Sequence, residues 1–341
     1  MIRLAVIGYG YWGPHVARNF QSSKACELVQ ICDMNPECLK RAQKAHPGIS
    51  VTTDVRDTLS STRIDAVAVI TPVWTHFDLA SRALQAGKHV FVEKPFTATA
   101  REAEELIEIA ARKRLKIMVD HTFLFTGAVQ KIHQLIEEGV MGKMYYYDAM
   151  RVNLGLFQHD VNVIWDLAPH DLAIMDYLIA SKPDVVVATG RKHFENHEDV
   201  AYLTIYFNDN MIAHLNVNWL SPVKVRMTLL GGEKKMLVWN DLEPDEKVKV
   251  YDRGVKISNG NGNGYGNRMG IHDLLVSYRS GDMWAPKVDQ TEALKAEAEY
   301  FLECIETDKK PFNDGEAGLR VVRLLEAADK SLSANNQAVR V

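Results

Sequence analysis

Apolar residues in the first third of the chain come in short, β-branched runs. Each run is followed by a stretch in which apolar positions recur every three to four residues. The runs Leu4–Ile7, Leu28–Cys32, Ile49–Thr52, Ala66–Ile70, His89–Val92 and Lys116–Val119 predict strands. Pro36–Ala45, Asp54–Ser60, Thr75–Ala86 and Ala100–Arg114 predict the helices between them. Strand and helix alternating through short loops imply an α/β architecture, a doubly wound parallel sheet.

The pattern changes from about Thr122. A helix over Gly127–Glu138 leads into longer strands predicted at Lys143–Val152, Asp184–His193, Asp199–Phe207, Met211–Leu220, Lys224–Leu230, Lys235–Trp239 and Lys247–Tyr251. Tight-turn sequences such as Asn208-Asp209-Asn210 and Gly231-Gly232 join several of them. A helix from Trp165 to about Ala180 interrupts the series, and helices over Thr291–Glu306 and Glu316–Ala334 close the chain. This predicts an α+β domain with a large, mostly antiparallel open sheet and helices on one face. Ala201, Leu203, Ile205 and Phe207 alternate with Tyr202, Thr204 and Tyr206. An aromatic outer face of that kind is either half-solvated or paired with another subunit, and the second is the expectation here. With 341 residues, two domains are expected, 1–121 and 122–341.

Composition narrows the function classes. A net charge of −4 gives no electrostatic footprint for nucleic acid or an anionic membrane. No apolar run reaches the roughly 18 residues that span a bilayer. The chain enters a strand at once, with no basic leader, so a cytoplasmic protein is expected. Cys26, Cys32, Cys38 and Cys304 form no Cys-x-x-Cys pair and read as reduced thiols, with no structural metal.

The informative polar residues fall just beyond strand ends, and a parallel sheet puts all those ends on one side, where ligands bind. Strand Leu4–Ile7 runs into Gly8-Tyr9-Gly10-Tyr11-Trp12-Gly13, a Gly-x-Gly-x-x-Gly loop between strand and helix. Gly8 suits the tight turn, Gly10 lets backbone approach a pyrophosphate, and Gly13 lets the helix pack close. Strand Leu28–Cys32 ends in Asp33, suited to accept the ribose hydroxyls of NAD and to repel a 2′-phosphate; its alternative reading is a helix N-cap. Thr71, Pro72, Trp74 and His76 follow the next strand and would wall the same cleft beside Tyr11 and Trp12, although Trp74 and His76 also suit helix-start packing. The run Val90–Val92 ends in Glu93-Lys94-Pro95, placing a carboxylate and an ammonium on that edge.

A second constellation opens the helix at Trp165. Asp166 and His170 are four apart and share a face, with Pro169 expected in the first turn. Asp166 alone suits an N-cap, and His170 alone a core histidine. Together, an aspartate can orient a ring whose pKa suits proton transfer. No third residue completes a metal site. The Gly/Asn-rich stretch Ser258–Gly270 reads as a spacer, or as a lid using Tyr265 and Arg268.

Taken together, the glycine loop, Ala83-Leu-Gln-Ala-Gly-Lys-His-Val-Phe-Val-Glu-Lys-Pro95 and Asp166-x-x-x-His170 resemble the glucose–fructose oxidoreductase / inositol dehydrogenase (Gfo/Idh/MocA) family over nearly the whole chain. The resemblance implies a Rossmann domain followed by an open sheet used for homodimers or homotetramers. It implies that Lys94 sits between nicotinamide and substrate, that Asp166 and His170 complete the catalytic group, that Thr122 and Trp165 touch the cofactor, and that the Lys94–Pro95 bond is cis. Asn153-Leu-Gly155, the segment Asp160–His170 and Tyr278-Arg-Ser-Gly-Asp282 are similar to the nucleotide-sugar branch, the UDP-N-acetylglucosamine and UDP-N-acetylglucosaminuronate 3-dehydrogenases of surface-polysaccharide pathways. Arg151, Arg226, Arg268 and Arg279 are then candidates for holding pyrophosphate or carboxylate. Whether Lys94 or His170 is the base stays open. So do a ketosugar reductase, a polyol dehydrogenase, NAD-assisted glycoside cleavage and a non-catalytic dinucleotide sensor, the last disfavoured by having Lys94 and His170 together.

Overall fold

The computed structural model describes residues 1–155, 157–158, 160–194, 196–258 and 275–341. Tyr265 and Arg268, and with them the lid reading, lie outside the described residues.

The first half alternates β1 (Ile2–Ile7), α1 (Gly13–Ser22), β2 (Cys26–Cys32), α2 (Pro36–Ala45), β3 (Ser50–Thr52), α3 (Val55–Ser60), β4 (Ala66–Val69), α4 (His76–Gln85), β5 (His89–Glu93), α5 (Ala100–Lys113) and β6 (Ile117–Asp120). The six strands form one parallel sheet in the order β3-β2-β1-β4-β5-β6. Helices cover both faces, which is why β4 and the centre of β5 are apolar throughout and fully buried. The order reverses between β1 and β4, and the crevice at such a switch point is where dinucleotides bind.

The second half contains α6 (Gly127–Glu137), β7 (Met144–Leu154), α7 (Val163–Leu178), β8 (Pro183–Arg191), β9 (Val200–Phe207), β10 (Ile212–Asn218), β11 (Leu220–Gly232), β12 (Met236–Asn240), β13 (Val248–Ser258), β14 (Leu275–Trp284), α8 (Ala293–Glu306), α9 (Gly315–Ser333) and β15 (Val339–Arg340). Nine strands form a second sheet in the order β14-β13-β12-β11-β7-β10-β9-β8-β15. Every pairing is antiparallel except β7 with β10. The inner residues Ala201, Leu203, Ile205, Ala213, Leu215 and Val217 are completely buried, while Tyr202, Tyr206 and Ile212 are exposed on the other face.

Three details depart from the sequence expectation. Helix α7 starts at Val163, because the Asn162 side chain caps it by accepting from the Ile164 and Trp165 N–H groups. Asp166 is therefore in the first turn, and Pro169 lies well inside the helix. The missing Pro169 N–H removes one ladder bond, to the Trp165 carbonyl. A second departure is the edge strand β14, which the pattern did not reveal. Finally, α8 and α9 return to the first sheet. Phe301 packs on Phe20 and Phe91 with ring centroids 6.1 and 5.7 Å away, and Asn313 exchanges backbone and side-chain bonds with Val119.

Candidate active site

Residues Gly8 to Gly13 build the cofactor edge. Gly8 has φ +98°, and a Cβ there would lie 2.3 Å from the Ile70 carbonyl oxygen. A Cβ on Gly13 would lie 2.4 Å from the Gly8 oxygen, so only glycine lets α1 start this close to β1. At Gly10 a Cβ would meet nothing within 4 Å: the space over the loop is open. The start of α1 has no side-chain cap, which leaves its first N–H groups for an anion. Asp33 accepts from Tyr9 N at 2.6 Å and Asn35 N at 2.8 Å. It thereby pins the glycine loop and keeps lone pairs for ribose hydroxyls. The N-cap of α2 is Asn35, which settles the alternative reading of Asp33. These features fit a dinucleotide.

The cleft wall is less uniform than expected. Tyr11 and Trp74 are exposed beside the crevice, and Pro72 precedes a single 3-10 turn (Val73–Thr75) in which Thr75 bonds Thr71. His76 is completely buried, with Nδ1 2.9 Å from the Pro95 oxygen and Nε2 2.7 Å from the Thr71 oxygen. It braces the turns on either side of Lys94, so its packing reading replaces the cofactor one. The indole N–H of Trp165 is committed to Asp329 at 2.7 Å, leaving only its ring for any cofactor contact. Thr122 donates to Asp120, and Trp12 Nε1 donates to the same carboxylate at 2.7 Å.

Lys94 crosses to the second half of the molecule. Its Nζ donates to the Asp166 carbonyl oxygen at 2.9 Å and lies 3.8 Å from Asp166 Oδ1. The Lys94–Pro95 bond is cis, as the resemblance implies. Asp166 does not orient His170. Its Oδ2 accepts instead from Trp219 Nε1 at 2.9 Å, because the helix start turns the carboxylate toward β10 and Lys94. His170 stacks edge-on against Phe123 at 4.8 Å, and its Nδ1 is buried with no partner among the described residues. Burial pushes its pKa well below the usual range, and Lys94, Arg151 and Arg226 push it in the same direction, so His170 is neutral.

Lys94, Asp166 and His170 line one cavity of about 150 Å³ with Arg151, Asn153, Lys224 and Arg226. Arg151 is buried and forms a two-pronged pair with Asp171, both bonds 2.8 Å. This positions it as a fixed charge with one remaining nitrogen for a ligand. Arg226 lies 3.4 Å from Asp241 and over the Phe123 ring, 5.3 Å from its centroid. Burial, then repulsion from Arg151, lowers its pKa. Arg279 pairs with Asp252 on the outer hairpin and does not reach this cavity.

Two models of one family match this chain. The first, described as oxidoreductase family, NAD-binding Rossmann fold, covers residues 2–121, and the second, the GFO/IDH/MocA C-terminal domain, covers 129–238. The chain belongs to the Gfo/Idh/MocA oxidoreductase family. It is an NAD-binding enzyme. It is similar to the UDP-N-acetylglucosamine 3-dehydrogenase of Acidithiobacillus ferrooxidans, 27% identical over 94% of each chain. The solved structure of that protein matches with a TM-score of 0.80 over 98% of this chain and 99% of the other. The scyllo-inositol 2-dehydrogenase (NAD(+)) of Bacillus subtilis is 25% identical, covering 91% of this chain and 88% of its own.

This family member also carries groups the sequence reading missed. Trp219 and Phe123 position Asp166 and His170 from outside both motifs. Asp120 and Glu297 are buried, and the carboxyls of Glu93 and Glu297 each reach that of Asp120. Burial first, then the charge of Asp120, raises the pKa of both glutamates well above the usual carboxylate range. Glu93 is thus one member of a proton-sharing carboxyl cluster beneath Trp12. Its signal in the sequence was only a carboxylate at the end of each of two adjacent strands, β5 and β6.

Proposed function

We propose that the protein oxidises a secondary alcohol of a nucleotide sugar, C3 of a UDP-N-acetylhexosamine or its uronate, with residues 1–121 holding NAD and 122–341 holding the sugar. The observation that carries this reading is the convergence of Lys94 from the cofactor edge with His170 and Asp166 from α7 on one cavity whose remaining wall is cationic. The relative that acts on UDP-N-acetylglucosamine supports the same substrate class. A cavity of about 150 Å³ is smaller than the roughly 300–1,000 Å³ of ordinary ligand sites. It takes the reacting sugar ring, and the nucleotide extends past Asn153 and the exposed Lys224.

NAD, when bound, supplies the hydride acceptor. Lys94 holds the reacting oxygen as an ammonium donor, itself oriented by the Asp166 carbonyl and carboxylate. Neutral His170 takes the hydroxyl proton. The fixed Arg151–Asp171 pair keeps the cavity floor in place, and Arg226 adds positive charge for a phosphate or carboxylate.

The exposed tyrosine face of the second sheet is proposed as the homodimer or homotetramer interface, which light scattering would test against a monomer. The four buried free thiols suit a reducing cytoplasm, and a UDP-sugar product would serve surface-polysaccharide synthesis. The small cavity also favours a free polyol as second reading. Incubation with NAD and a panel of UDP-sugars, inositols and free sugars, followed by NADH absorbance, separates the two. The UDP-N-acetylhexosamines are expected to react, and Lys94→Ala and His170→Ala to lower turnover by about a hundredfold or more. Reaction with inositols alone would refute the nucleotide-sugar reading, and wild-type rates in either variant would remove that residue from the mechanism.

A further inference from the structure

His121 follows β6 immediately after Asp120, and no role has yet fallen to it. Its side chain is 2% exposed, and neither ring nitrogen has a hydrogen-bond partner among the described residues. A neutral imidazole has one donor and one acceptor, and leaving both buried and unmet is costly. Against it lies a separate cavity of about 120 Å³, lined by Leu124, Ala173, Asp176, Tyr177 and Arg320 among others. At ~30 Å³ per molecule it has room for about four waters, and its wall offers a carboxylate, a phenol and a guanidinium to hold them.

The placement relative to the active site matters. Both His121 and His170 feel the charge of Lys94, and His121 in turn perturbs His170. Helix α7 joins the two cavities. His170 lines the first, while Ala173, Asp176 and Tyr177 line the second, and positions 170, 173 and 177, three and seven apart, share a helix face. From His170 to Tyr177 the helix rises about 10 Å. At the outer end Asp176 is paired with Arg320 through bonds of 2.7 and 2.8 Å, and the Arg320 side chain is nearly half exposed.

We propose that His121 and the waters of this second cavity form the exit by which the proton of the oxidised alcohol reaches solvent. This rests on the dehydrogenase reading above. In each turnover the C–H bond gives its electron pair as hydride to NAD, and the O–H proton passes to His170. That proton must leave before the next cycle, while the sugar fills the mouth of the first cavity. His121 takes a proton on one ring nitrogen and releases one from the other, through water, toward Asp176. Burial and then Lys94 lower its pKa to about 3, so the ring rests neutral, with one donor and one acceptor nitrogen, and moves a proton by exchange between the two rather than by becoming a cation. It acts through His170 and is a relay, not a group that touches substrate.

Two experiments decide. The first needs no turnover: a high-resolution crystal structure of the NAD complex is expected to show ordered water bonded to both His121 nitrogens, and a dry cavity overturns the relay whatever the substrate proves to be. In the second, His121→Phe keeps the bulk and removes the relay. Its kcat is expected to fall by about tenfold or more, less than the ~100-fold or more of a direct proton-transfer group. KM and NAD affinity by fluorescence should hold, and the solvent deuterium isotope effect on kcat should rise. Ala173→Val, which displaces water without touching His121, should move the isotope effect in the same direction even if the first variant folds poorly. A fall in kcat with an unchanged isotope effect in both variants means packing only and overturns the proposal. Absence of turnover across the whole panel sinks the nucleotide-sugar reading, while the crystallographic result still decides whether the cavity is wet.

Discussion

At the scale of single residues, Asp166 shows how spacing along a helix can suggest the wrong partner. Its spacing from His170 suggested that one carboxylate orients one ring. In the structure the carboxylate is held by Trp219 and faces Lys94 instead of the ring. Trp219→Phe keeps the packing and deletes one charge-assisted hydrogen bond, worth about 1.5–3 kcal/mol. Turnover should fall roughly tenfold with little change in NAD affinity, as read by steady-state kinetics and a binding titration. Unchanged kcat would show that Asp166 needs no anchor. That Lys94 and His170 would line one cavity was legible because each stands where an element meets the cleft. Trp219 was not, since it lies 53 residues from Asp166 and only sheet register brings the two together.

Elements were legible where their signal is local. The six strands of the first sheet announce themselves by burial on both faces, and the glycine loop by backbone geometry that side chains cannot adopt. The start of α7 was misplaced because Trp165-Asp166 and Pro169 imitate a helix opening, whereas Asn162 does the capping. Strand β14 was hidden because its partner β13 lies across a long, compositionally odd segment. The glycine loop yields a contrast. Gly10→Ala adds a methyl to open space, so melting temperature should stay within about 1 °C, a shift that corresponds to under ~1 kcal/mol in a chain of this size. NAD affinity should nevertheless drop by about tenfold, because the methyl occupies pyrophosphate space. Gly13→Ala forces α1 off β1 and should lower both. If Gly10→Ala binds NAD normally, the phosphates do not sit over Gly10.

For the whole molecule, buried titratable groups set the response to pH. Burial lowers the pKa of His46, His76, His89, His121 and His170. The unfolded chain protonates these rings near pH 6.5 while the folded one resists, to about 3 for His121, so their contribution to stability is complete above about 6.5 and is lost as pH falls. Glu93 and Glu297 act in the opposite sense, since their raised pKa values favour the folded state at low pH and penalise it as pH rises. Five groups outweigh two, and melting temperature should fall between pH 7 and 5. A melting temperature that rises over that range would contradict the balance. Glu297→Gln should gain on wild type at pH 8, where it no longer carries the penalty.

The return of α8 and α9 to the first sheet bears on how this enzyme can be taken apart. Phe301 packs against the pair Phe20 and Phe91, Asn313 closes the edge of β6, and Glu297 reaches the carboxyl of Asp120. A fragment cut after residue 121 would lose all three and present an apolar scar to water. Recombination between relatives therefore needs three joints, not one. An exchange that moves residues 1–121 together with 293–333 keeps the first sheet and its covering helices whole, and one that moves 1–121 alone leaves a mismatched seam along that sheet.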